Sequence, residues 1–207
     1  MKQVLRSAAL AVVLSAVGLA VVLAFSRQPT LAQDFQKGLD AARSGDFETA
    51  LQELRPLAEQ GYPPAQYNIG VLYYDGNGVP QDFAEAEKWL RLAAEQGYVS
   101  AQYNLGLMYD KGDGVPQDIA EAVKWLRLAA EQGNAESQMH LGLMYVWGDG
   151  VIQDNVYAHM WWDISASLGY EDAKGNRDIV AKRMTDDEIA QAQQLARECV
   201  AKDYKGC

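Results

Sequence analysis

The chain has 207 residues, of which 18 are basic and 28 acidic, giving a formal charge of −10, and 49% are hydrophobic. An acidic balance of this size excludes the electrostatic footprint of a nucleic-acid binder and disfavours docking on anionic lipid, while the apolar content suffices for a packed core. Two histidines and two cysteines leave little material for a metal centre or a nucleophilic site.

At the N-terminus, Lys2 and Arg6 precede an apolar run from Ala8 to Phe25, broken only by Ser15 and Gly18 and ended by Ser26-Arg27-Gln28-Pro29. Residues 1–32 read as an export segment. Either they form a cleaved signal peptide, with Thr30-Leu31-Ala32 as the processing site before Gln33, or residues 8–25 remain as an inner-membrane anchor just long enough to cross a bilayer. The two cations keep the N-terminus cytoplasmic in both cases, so the remainder is expected in the periplasm, as a free or secreted domain or facing it from the anchor. No cysteine stands near the segment to take a lipid. Lys2, Arg6 and Arg27 are its only charged residues, which leaves residues 33–207 with 15 basic and 28 acidic side chains, a charge of −13.

A block of 36 residues then occurs three times, at 65–100, 101–136 and 137–172; the first two copies agree at 25 of 36 positions and the second and third at 16 of 36. A fixed period of this length marks a stacked array whose units contact mainly their neighbours. Within the first copy, Ala65, Ile69, Leu72 and Tyr73 recur at helical spacing up to Gly76-Asn77-Gly78, where glycine can close a helix. A second helix is expected from Asp82, with Glu85 completing a capping box, carrying Ala86, Trp89, Leu92 and Ala93 on its buried side and stopping at Gly97. Asp118 and Glu121 repeat that start, whereas Tyr157 replaces the glutamate after Asp154. Gly70, Gly106 and Gly142 fall inside the first helices at a cost of about 1 kcal/mol each, which close approach of a neighbouring helix would offset.

The composite AxxxLGxxYxxGxGVxQDxxxAxxWxxxAAxxG resembles the Sel-one-like repeat, a longer-looped relative of the tetratricopeptide repeat. The resemblance covers Ala65–Asp172 well. It extends more loosely over residues 33–64 as a divergent first unit, in which Ala50 and Leu57-Ala58-Glu59-Gln60-Gly61 match Ala86 and Ala93 to Gly97, and Ser44-Gly45-Asp46 replaces the longer loop. It implies an all-α, right-handed α-solenoid of helix-turn-helix repeats serving as a scaffold for a protein or peptide partner in signalling, envelope biogenesis or secretion-linked quality control. It implies no catalytic residues and no cofactor.

Residues 173–207 read as helical caps for the array, one helix from about Ala173 to Lys182 and another opening at Thr185, where Thr185 and Glu188 form a capping box. Ile189, Ala192, Leu195, Ala196 and Cys199 share one side of the second. Cys199 and Cys207 are the only cysteines; an oxidising compartment favours a local disulfide contributing about 3 kcal/mol at most, the alternative being two free thiols. Capped ends give no reason to expect more than a monomer.

Neither His140 nor His159 sits in a HExxH pattern or beside a candidate nucleophile, and His140 takes the place of Asn68 and Asn104 as a surface substitution. The loops at Asp75-Gly76-Asn77-Gly78 and Asp113-Gly114 lack the bidentate glutamate of a calcium loop, since Ala86 stands at the twelfth position. A non-enzymatic interaction scaffold of the bacterial envelope is the expected function, and an accessory factor of a cell-wall enzyme the alternative. The candidate partner-binding residues lie on the first helices: Tyr67, Asn68 and Tyr74, then Tyr103 and Asn104, then His140 and Trp147. These positions either line a concave groove for a peptide or pack between adjacent repeats.

Overall fold

The computed structural model describes residues 31–207. Its regular elements are helices: α1 (Leu31–Ser44), α2 (Phe47–Glu59), α3 (Pro63–Asp75), α4 (Phe83–Glu95), α5 (Val99–Lys111), α6 (Ile119–Ala130), α7 (Ala135–Trp147), α8 (Asn155–Ser167), α9 (Glu171–Ala181) and α10 (Asp186–Ala201). Of the expected export segment, residues 1–32, all but Leu31 and Ala32 lie outside the described residues. Among those described, no helix is long and apolar enough to cross a membrane.

The chain divides into two compact units between Glu53 and Leu54. In the first, α1 turns into α2 at Gly45, and the Asp46 carboxylate accepts the Thr49 N–H at 3.1 Å, the capping bond expected where a helix leaves its first amides unpaired. Gly38 and Ala50 are buried there, and Lys37 pairs with Glu53.

The second unit, Leu54–Cys207, holds the helix pairs α3/α4, α5/α6 and α7/α8 at the 36-residue period, with first helices opening at Pro63, Val99 and Ala135, two residues ahead of the block frame drawn from Ala65. Each first helix ends alike. Gly76 takes φ +72°, and its N–H and that of Asn77 both reach the Leu72 carbonyl, closing the helix with a left-handed residue. The returning loop is then tied down by a glutamine amide: Gln81 Nε2 donates to Tyr74 O at 2.8 Å, Gln117 to Asp110 O at 2.6 Å and Gln153 to Val146 O at 2.8 Å. This bond explains the glutamine that precedes Asp82, Asp118 and Asp154.

The aspartates cap the second helices, Asp82 accepting from Ala84 and Glu85, Asp118 from Glu121, and Asp154 from Val156 and Tyr157. The reciprocal half of the expected box goes elsewhere. Glu85 and Glu121 pair with Lys88 at 3.0 Å and Lys124 at 2.9 Å, one turn along, because an ammonium is a stronger partner for a carboxylate than a backbone amide already close to water. A second correction concerns the buried stripe of α4 and α6, where Leu92 and Leu128 are 39% and 38% exposed and Leu90 and Leu126 are buried in their place. At 3.6 residues per turn, Ala86, Leu90 and Ala93 share a face that Leu92 leaves.

The mid-helix glycines are where those leucines enter. A Cβ on Gly70 would lie 2.8 Å from Leu90 Cγ, one on Gly106 2.8 Å from Leu126 Cγ, and one on Gly142 2.3 Å from Trp162 Nε1. The second helix therefore packs on bare backbone, and the propensity cost of glycine is offset by this close approach. Trp162 completes the contact by donating Nε1 to Met139 O at 3.0 Å.

Between repeats run two polar ladders. Arg55 and Arg127 donate to Tyr73 Oη at 3.0 Å and Tyr145 Oη at 2.9 Å, and Arg91 reaches Tyr109 Oη in the same way. Buried glutamines form the other ladder: Gln66, Gln102 and Gln138 each donate Nε2 at 3.1 Å to the carbonyl of Ala58, Ala94 or Ala130 at the end of the preceding helix. Both ladders satisfy groups that burial would otherwise leave bare.

The array frame continues past the third copy. Tyr170 caps α9 as Tyr62 and Tyr98 cap their helices, and Ala173 is fully buried at the position of Ala65 and Ala101. So α9 keeps the frame of a first helix and packs on α8, whereas α10, opened by the capping box of Thr185 with Glu188, also packs on α8 instead of pairing with α9. Ala192, Ala196 and Cys199 are the buried residues of α10. A disulfide joins Cys199 to Cys207 across a sequence separation of 8, and the tail it holds reaches back to the second repeat, where Lys205 Nζ donates to Glu131 O at 2.8 Å.

Candidate functional site

The sequence-derived candidates divide by what their side chains already do. Asn68 turns back on its own helix and donates to Pro64 O at 2.7 Å. Tyr67 stacks obliquely on Tyr98 with ring centroids 5.2 Å apart, and the Asn104 amide bonds its hydroxyl; burial, foremost, holds that hydroxyl above its usual acidity range. One repeat along, Tyr103 Oη lies 3.4 Å from His140 Nε2 with ring centroids 5.8 Å apart. The tyrosines thus face the amide or imidazole 37 residues later, in the next first helix.

His140 is half-buried rather than a surface substitution, because the Tyr103 ring covers it, and burial lowers its pKa, with Asp110 pulling up and Lys111 pushing down. His159 is buried on α8 with Nδ1 unpartnered, and burial lowers its pKa as well. Trp89, Trp125 and Trp161 are core residues.

Tyr74 donates to Asp113 Oδ2 at 2.7 Å, across to the loop of the following repeat, and this bond together with burial pushes its pKa up to about 12. The same loop needs glycine at 114, where φ is +72° and a Cβ would stand 2.1 Å from Phe83 Cβ. Trp147 is the exception among the candidates: it is 70% exposed.

Two hollows open along the first helices. One, of about 200 Å³, is lined by Val71, Tyr74, Asp75, Asn104, Leu107 and Lys111. The other, of about 120 Å³, lies two repeats along and is lined by Leu143, Val146, Trp147, Asn176, Ile179 and Arg183. The members correspond one to one at a separation of 72, so the second hollow is the same site of the repeat built from different side chains. It brings Trp147 together with three residues that sequence reasoning assigned to a cap: Asn176, Ile179 and Arg183. The signal that could have found them is the 36-residue frame carried on from Leu143 to Ile179. Among the described residues no group of three His, Cys, Asp or Glu side chains is placed to hold a metal ion.

A family model described as Sel1 repeat matches the chain at residues 63–98, 99–134 and 135–170, in the frame of the helix starts. Among solved structures, a Sel1 repeat protein from Oxalobacter formigenes is 32% identical with a TM-score of 0.65, over 80% of this chain and 75% of that one. A protective antigen present in uropathogenic Escherichia coli strains, displaying an SLR fold, is 28% identical with a TM-score of 0.54, over 86% of this chain and 47% of that one. Among curated proteins, DAP3-binding cell death enhancer 1 of Rattus norvegicus and of Mus musculus is 33% identical over 48 residues, and the chain spans 9% of the length of these relatives.

Proposed function

Since the chain belongs to the Sel1 repeat family, whose members generally act as protein-interaction scaffolds, we propose that it is an exported, non-enzymatic scaffold of the bacterial envelope that holds a protein or peptide partner on its first-helix face. The observation that carries this reading is Trp147, an indole 70% exposed at the rim of an apolar hollow that recurs with the repeat. Aromatic residues on such rims are the usual anchors of protein interfaces. Export is supported by Lys2 and Arg6 ahead of the apolar run and by the Cys199–Cys207 disulfide, a bond that persists in oxidising compartments.

Co-purification from envelope fractions tests the proposal. Wild-type chain and a Leu92→Asp variant, altered on an exposed second-helix position, should recover the same partner in stoichiometric amount, and Trp147→Asp should lose it while melting normally. Equal recovery by all three would remove the first-helix face as the binding surface. A recovered cell-wall enzyme would make the chain that enzyme's accessory factor.

A further inference from the structure

The two equivalent hollows differ in the state of their polar groups. In the hollow beside α5, the Asn104 amide is engaged by Tyr67, the Tyr74 hydroxyl by Asp113, and the lining carries one acid, Asp75, and one base, Lys111. In the hollow beside α9 every one of these arrangements is undone. Met139 stands where Tyr67 and Tyr103 stand, so the rung that would engage Asn176 has no hydroxyl, and the Asn176 side chain makes no hydrogen bond among the described residues. Val146 replaces Tyr74, and Trp147 replaces Asp75, which removes the acid. Arg183 replaces Lys111, and its guanidinium pairs with no carboxylate among the described residues.

What results is an apolar floor of Leu143, Val146 and the buried face of Trp162, with Trp147 and Ile179, 70% and 54% exposed, on the rim. One amide is free and the only charge in the lining is positive, in a chain whose formal charge is −10. The volume of about 120 Å³ is well below the roughly 300–1,000 Å³ of small-molecule sites and fits a single side chain. Asn176, Ile179 and Arg183 follow one face of α9 to just past its end, so the amide and the guanidinium are offset by about 10 Å along the helix at ~1.5 Å per residue. An extended chain covers that offset in about three residues at ~3.4 Å each.

We propose that this hollow docks an extended segment of a partner protein that places one apolar side chain between Trp147 and Ile179, presents a main-chain amide to Asn176, and presents an acidic side chain about three residues further on to Arg183. The charge complementarity selects the acid: in an acidic domain, an unpaired guanidinium beside a dehydrated floor rewards a carboxylate and rejects a lysine. The site rests on the scaffold reading and specifies where that scaffold grips and what it grips.

The test is fluorescence anisotropy of the full chain with short labelled synthetic peptides, C-terminally amidated, in which leucine is followed about three positions on by glutamate, glutamine or lysine. The glutamate peptide should bind most tightly. Arg183→Glu should weaken it by roughly ten-fold or more and make the lysine peptide the preferred one, an inversion that loss of folding cannot produce. Asn176→Ala should weaken the glutamate and glutamine peptides alike. Equal binding of all three peptides to the wild-type chain, or no binding by any, overturns the site, as does affinity that appears only with a free C-terminal carboxylate. Those failures leave the scaffold reading standing if Trp147→Asp still loses the envelope partner; retention of that partner would instead remove the first-helix face as the binding surface.

Discussion

Gln132 donates its Nε2 to Gln102 Oε1 at 2.7 Å, as Gln96 does to Gln66 at 2.7 Å one repeat earlier. In the third repeat the donor position is Leu168, and Gln138 Oε1 is buried without a partner. A buried amide oxygen lacking a donor costs about 1–3 kcal/mol, and restoring an ordinary bond recovers about 1 kcal/mol. Leu168 is 44% exposed, so its replacement sacrifices little apolar burial. Leu168→Gln is therefore expected to raise the melting temperature by roughly 2–4 °C, measured by circular dichroism. A lower melting temperature would show that the side chain at 168 cannot reach Gln138.

Two glycine replacements should have opposite signs. Gly106→Ala drives a Cβ to 2.8 Å from Leu126 Cγ and is expected to destabilise by about 1–3 kcal/mol in spite of the gain in helix propensity. Gly175→Ala in α9 meets nothing within 4 Å and should stabilise by roughly 0.5–1 kcal/mol. Urea unfolding of the pair separates packing from propensity, because the propensity term is common to both.

The disulfide should anchor more than its own loop. Asp203 and Tyr204 take φ of +50° and +64°, unfavourable for side-chain-bearing residues, while the Tyr204 ring lies against Gly133 and Lys205 bonds Glu131 O. Cys199→Ser, or reductant, is expected to lower stability by up to ~2.5 kcal/mol and to speed proteolysis at the C-terminal tail, as read by mass spectrometry. Unchanged proteolysis would mean that the tail is held by Tyr204 and Lys205 alone.

Acid should weaken the fold in part through its histidines. Burial places the His140 pKa below its usual 6.5, so the folded state holds fewer protons than the unfolded one, and stability present above that value falls as pH drops toward the folded pKa. His140→Asn, the residue already at 68 and 104, removes this contribution, and the Tm difference between wild type and variant should shift in the variant's favour from pH 7 to pH 5. A difference constant across that range would assign no linkage to His140.

The glycine-closed helix ends and the aspartate caps were legible in the sequence because they act within one turn of chain. The pairing of Arg91 with Tyr109, 18 residues apart, was not, since nothing local marks which side chains meet across two helices. The same holds for Leu90, which buries where Leu92 was expected: a two-residue choice decided by the glycine it packs against. For the candidate site, the exposed Trp147 stood out as a break in the repeat, whereas Asn68, Asn104 and His140, candidates for binding a partner, are engaged within the fold. Asn176 and Arg183 were hidden because α9 keeps the repeat frame but little of its wording: Asp178 stands where Gly142 and Gly106 stand.

The central claim, that a partner sits on the first-helix face near the end of the array, is tested most directly by site-specific photocrosslinking in intact envelopes. A benzophenone side chain at position 147 should give one dominant adduct with a single partner, and the same group at Leu92 or Leu128, exposed on the second helices, should give none. Equal adducts from 92 and 128, or none from 147 with the protein folded and exported, would contradict it.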